Sequence, residues 1–128
     1  MTLHITALYA SILVLAVIGL ANVVSAKRGK AGVSILHGDD LDLALWMRRH
    51  GNLVENLPLA LILMGLCEVN GLGAPWLHVM GIALIVVRAS HLLGLSIDRP
   101  AAPLRIIGGA GTQLAMLGAI GFLIWSEF

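Results

Sequence analysis

The distribution of apolar and charged positions divides the chain into four long apolar stretches separated by short polar ones. From Leu3 to Ala26 there is no Lys, Arg, Asp or Glu, and that run exceeds the roughly 20 apolar residues needed to cross a hydrocarbon layer. It predicts a first transmembrane helix over 3–26. A cleaved signal peptide is the competing reading, since Val24-Ser25-Ala26 has the small residues of a cleavage site. Against it, no basic residue precedes the run, and the run is longer than the usual apolar core of about 7–15 residues.

The pattern breaks at Lys27, where Lys27, Arg28 and Lys30 alternate with glycines and lead to Asp39, Asp40 and Asp42. This stretch predicts an exposed loop, with Asp40 or a neighbour capping the next helix through its side-chain oxygen. The aspartates are read as a cap and as solvated charge, not as a metal site. A second helix is predicted over 41–69, bent at Pro58, which removes the hydrogen bond to the Val54 carbonyl. Asn70-Gly71-Leu72-Gly73 predicts a tight turn, and Pro75 suits the first turn of a third helix over 75–95. After the polar segment Ser96–Ala102, Pro103 opens a fourth helix over 103–125. Gly108, Gly111, Ala115 and Gly118 fall on one side of it, where small residues let helix backbones approach in lipid.

Composition turns this pattern into a class. The 128 residues are 59% hydrophobic and 12% charged, with mean hydropathy +0.95, so much of the surface must face lipid rather than water. The expected fold is an all-α, integral-membrane four-helix bundle forming a single domain over 1–128. Net charge is only +1, but all eight Lys and Arg lie in or beside the first and third connections. The positive-inside rule puts those connections in the cytoplasm and both termini on the other side. Trp46, Trp76 and Trp125 sit near helix ends as interfacial anchors. Cys67 stands alone, which excludes an intrachain disulfide and a cysteine-based metal site.

Candidate chemistry gathers at the basic ends of the helices. On a helix, Arg48, Asn52 and Glu55 are spaced i, i+4 and i+7 and share a face. Arg88 and His91 lie one turn apart near the end of the third helix, and Arg105 is in the first turn of the fourth. Such groups are costly in hydrocarbon unless they face protein or water. They could serve only as glue between helices. Yet three arginines, Arg48, Arg88 and Arg105, set against one carboxylate, Glu55, leave an excess of positive charge suited to an anionic ligand. Arg49, about 100° from Arg48 around the helix, is expected to reach interface water or lipid phosphate. His4, His37, His50 and His78 are expected outside the cluster.

Arg48-x-x-x-Asn52-x-x-Glu55 followed by Pro58, together with Arg88-x-x-His91 and Ala102-Pro103-Leu104-Arg105, resembles the signature of the MAPEG family, membrane-associated proteins in eicosanoid and glutathione metabolism. The likeness is to small bacterial-type members, so it implies a bacterial inner-membrane location. It further implies a homotrimer with sites between subunits near the cytoplasmic face, where bent glutathione is conjugated to, or reduces, a lipophilic substrate arriving from the bilayer. No metal and no nucleic acid are implied. By matching position, Arg48, Asn52 and Glu55 would hold glutathione, Arg88 and His91 would line the same site, and Arg105 would stabilise the thiolate. Two departures keep an alternative open. Ser25 stands where relatives often have a basic residue, and Leu95 and Gly109 stand where eicosanoid-forming members carry tyrosines. The alternative is a non-catalytic membrane protein that binds a lipid or other anion in the same pocket.

Overall fold

The computed structural model describes residues 2–127, and these form four helices: α1 (His4–Ala31), α2 (Leu41–Val69), α3 (Ala74–Gly94) and α4 (Pro103–Ser126). Each is long and apolar enough to cross a membrane. One boundary differs from the sequence reading. α1 does not stop at Ala26 but continues through Lys27, Arg28 and Lys30, residues expected in a loop. Cations are good company for the negative end of a helix dipole. The helix stops where Gly32 turns left-handed (φ 66°) and its N–H closes on the Arg28 carbonyl.

The other boundaries follow local chemistry. Asp40 caps α2, its side chain accepting from the Leu43 N–H at 3.0 Å. Pro58 lies inside α2. Pro75 falls in the first turn of α3, and Pro103 begins α4, where a missing N–H costs no helical bond.

Helices α3 and α4 form a tight hairpin because glycines remove side chains from their contact. A Cβ on Gly94 would lie 2.2 Å from the Arg105 backbone nitrogen, and one on Gly108 would lie 2.4 Å from that of His91. Gly111 likewise meets Val87, whereas Gly118 has no atom within 4 Å of a built Cβ. The close-approach stripe therefore ends before Gly118, which instead lines an open groove between α3 and α4. On the other side α1 packs on α2 and α3 and does not reach α4. Tyr9 fits there only because position 81 is glycine, whose Cβ would stand 2.3 Å from the ring. Leu13, Leu53, Leu57, Met64 and Leu84 fill the centre. Leu15, Leu93, Leu114 and Trp125 are more than two-thirds exposed, the arrangement expected where lipid is the solvent.

The non-basic end is tied by a contact between chain-distant residues. The Glu68 carboxylate accepts from the Ile5 and Thr6 N–H groups at 2.9 and 2.8 Å, so α2 supplies the first-turn cap that the α1 sequence lacks. Beside it, the Tyr9 hydroxyl meets His78 Nδ1 at 3.0 Å. His78 is thus a partner of α1 as well as a residue near the membrane edge.

Three substitutions test this packing. Gly108→Ala forces α3 and α4 apart and is expected to lower stability by about 1–3 kcal/mol, while Gly118→Ala leaves it unchanged; unfolding in mixed micelles reads both. Removing the Glu68 carboxylate in Glu68→Ala should speed hydrogen exchange at the Ile5 and Thr6 amides while leaving α4 protection as it was.

Candidate functional site

The residues singled out on α2 occupy two faces of that helix. Arg48 and Glu55, two turns apart, form a bidentate pair with both N···O distances 3.0 Å. Their side chains are each 55% exposed, so the pair lies on the outside of the single chain. Gly51 sits beneath it: a Cβ there would stand 3.9 Å from both Arg48 Nη1 and Glu55 Oε1. Asn52 turns toward the bundle instead, and its side-chain oxygen accepts from Arg88 Nη2 at 2.9 Å. The Asn56 amide donates back to the Asn52 carbonyl at 2.9 Å, adding a side-chain bond to α2 in the turn that precedes Pro58.

Arg88 is 4% exposed and its Nε–H has no partner. A guanidinium so placed must keep at least one charge-assisted bond, and Asn52 supplies it across the α2–α3 contact. His91, one turn on, places Nδ1 3.1 Å from the Arg105 carbonyl. A carbonyl can only accept, so Nδ1 carries the hydrogen. His91 Nε2 is buried without a partner. The Arg105 side chain donates from Nη1 to the Pro100 carbonyl at 3.1 Å.

The sequence reading set three arginines against Glu55, and the fold corrects that. Glu55 pairs with Arg48 alone, because it points outward while Arg88 points inward to Asn52. Arg105 enters the cluster through its backbone, its guanidinium being turned to the α3–α4 connection. Arg49 also has partners within the chain. It donates to the Leu95 carbonyl at 3.1 Å and lies 4.7 Å from the Trp46 ring centroid, so it ties α2 to the end of α3. The i, i+3 spacing of Trp46 and Arg49 was the available signal for that stack.

Below the Arg48–Glu55 pair the same face of α2 becomes apolar. Glu55, Leu59 and Ile62 follow one another at i, i+4 and i+7, and Leu59 and Ile62 line a groove of about 470 Å³ between α2 and α4. Its opposite wall includes Gln113 and Met116. Arg105, Gly109 and Gln113 step along α4 at four-residue intervals, so that wall leads up to Arg105. The Arg48–Glu55 pair therefore lies one turn along α2 from an open apolar groove. Among the described residues no group of His, Cys, Asp and Glu side chains is placed to hold a metal ion.

The sequence profile described as the MAPEG family matches residues 6–125. The chain belongs to the MAPEG family. Two curated relatives, both called inner membrane protein YecN, from Escherichia coli strain K12 and Escherichia coli O6:H1, are 33% identical to it over 90 residues, covering 70% of this chain and 69% of theirs. No solved structure matches. This MAPEG protein is a multi-pass integral membrane protein, and its four described helices are each long and apolar enough to cross the membrane.

The two faces of α2 should respond differently to substitution. Asn52→Leu strands the buried Arg88 guanidinium and is expected to cost about 2 kcal/mol, the usual worth of a hydrogen bond to a charged group. Glu55→Gln, on the outer face of the single chain, keeps an acceptor for Arg48 and is expected to cost less than Asn52→Leu. Unfolding of both variants in mixed micelles measures the contrast.

Proposed function

We propose that this MAPEG protein is a glutathione-dependent transferase or peroxidase acting on lipophilic electrophiles or hydroperoxides. The observation that carries the reading is the placement of the Arg48–Glu55 pair one turn along α2 from the apolar α2–α4 groove. The γ-glutamyl end of glutathione is a zwitterion and complements the pair: its carboxylate answers Arg48 and its ammonium answers Glu55. Asn52, held by Arg88, and His91 line the inner side of the site. Arg105, near the positive end of α4, favours the thiolate over the thiol. The thiolate sulfur then attacks an electrophilic carbon in the groove; the S–C bond forms and the leaving group departs with its electron pair. With a hydroperoxide, sulfur attacks the terminal oxygen, the O–O bond breaks, and the departing alkoxide takes up the proton the thiol had lost and leaves as the alcohol. A second glutathione then converts the sulfenic acid to the disulfide and water.

An exposed ion pair on a transmembrane face is costly against lipid, which supports covering by a second copy. We assign a homotrimer with its sites between subunits. The placement of the Lys and Arg residues supports termini on the non-cytoplasmic side of a bacterial inner membrane.

A second reading is favoured by the Arg105 guanidinium, which is committed to the Pro100 carbonyl, and by Leu95 and Gly109 where tyrosines would stand. In that reading the same pocket binds a lipid or other anion without turnover.

Adding reduced glutathione to the protein in nanodiscs is expected to give thiolate absorbance, which Arg105→Ala abolishes. Absence of glutathione binding by calorimetry contradicts the proposal. Binding without thiolate or turnover selects the second reading.

A further inference from the structure

A second groove, of about 170 Å³, lies between α1 and α3. Its α2 residue is Leu53, which is about 200° around the helix from Glu55, so it is separate from the thiol site's outer face. Ile12 and Ala16 on α1 and Ala89 on α3 are exposed along it, which opens it to the bilayer. Arg88 is the one polar side chain in the lining, and its buried Nε–H has no partner.

All three walls lead to a cationic end. One turn from Leu53 along α2 is Arg49; Leu92 on α3 leads to the Leu95 carbonyl, which Arg49 grips at 3.1 Å. Leu20 on α1 leads through Val24 to Lys27. Both cations lie over the Trp46 ring, whose centroid is 5.6 Å from Lys27 Nζ and 4.7 Å from Arg49 Cζ. Lys27 pairs with Asp42, which neutralises that carboxylate. Arg49 forms no salt bridge among the described residues, and its Nε–H has no partner. A half-buried guanidinium in this position is matched by an anion that arrives from the membrane.

We propose that the α1–α3 groove is a site for one anionic phospholipid. An acyl chain lies along Leu20, Ala16 and Ile12 against Ile85 and Ala89. The phosphate sits at Arg49 and Lys27 beside Trp46. An ester carbonyl, an acceptor one step deeper, meets the free Nε–H of Arg88; Arg88's partner Asn52 is three residues, about 4.5 Å, along α2 from Arg49. An anionic headgroup is preferred because a zwitterionic one would bring its own cation against Lys27 and Arg49.

Native mass spectrometry of the protein released from micelles containing phosphatidylglycerol or phosphatidylcholine tests this site. Wild type is expected to retain one phosphatidylglycerol per chain, with a preference of about fivefold, as the single net cation left by the Lys27–Asp42 pair supplies. Arg49→Gln should abolish the preference, and Ala89→Phe or, from the other wall, Ala16→Phe should displace the lipid, with helicity unchanged by circular dichroism. Equal retention of the two lipids, or retention unaffected by these variants, overturns the proposal. So does a change of oligomeric state in Ala89→Phe with lipid retention intact, which would make the groove a contact between copies. Arg88, shared with the thiol site, is left untouched, so a failure of glutathione binding and a failure of lipid binding are read separately.

Discussion

A guanidinium buried among transmembrane helices has to find an acceptor, and Arg88 finds it in Asn52. That requirement fixes the rotation of α3 against α2 and so much else at the basic end. With Arg88 turned inward, His91 one turn later faces α4 and donates to the Arg105 carbonyl. Glycines at 94 and 108 then let the α3–α4 backbones meet around that bond. Asn52, used on the inner side, leaves Arg48 and Glu55 to pair on the outer side of α2. The division of α2 into an inward face tied to α3 and an outward charged face follows from this one contact.

The two ends of the bundle are secured by different chemistry. At the non-basic end a carboxylate, Glu68, supplies the missing cap of α1. At the basic end cations do the tying, with Arg49 on the α3 terminus and Lys27 on Asp42 and Trp46. Hydrophobic burial has little to discriminate with in a bilayer, where lipid is as apolar as leucine. Polar contacts at the ends and glycine contacts between backbones therefore set the arrangement.

The four helices were legible because charge-free runs, prolines and capping aspartate act locally. Helix periodicity also placed Arg48, Asn52 and Glu55 along one side of α2. It could not separate Asn52 from its neighbours, since a row at i, i+4 and i+7 drifts around the helix and the partner helix decides which member it meets. The Glu68 cap and the Arg49–Leu95 bond join residues more than forty positions apart, and no local pattern announces them. The C-terminal extension of α1 was hidden by glycines at 29 and 32, of which only Gly32 ends the helix. Arg105 was legible as a residue of the cluster, but the direction of its side chain depends on the backbone of the α3–α4 connection.

The proposed chemistry depends on what covers the Arg48–Glu55 face. A structure determined by cryo-electron microscopy in lipid nanodiscs with reduced glutathione tests it most directly. A second copy of the chain is expected against this face, with density for the tripeptide between them and its sulfur directed toward the α2–α4 groove. Acyl chains packed directly on Arg48 and Glu55, with no tripeptide density, would contradict it.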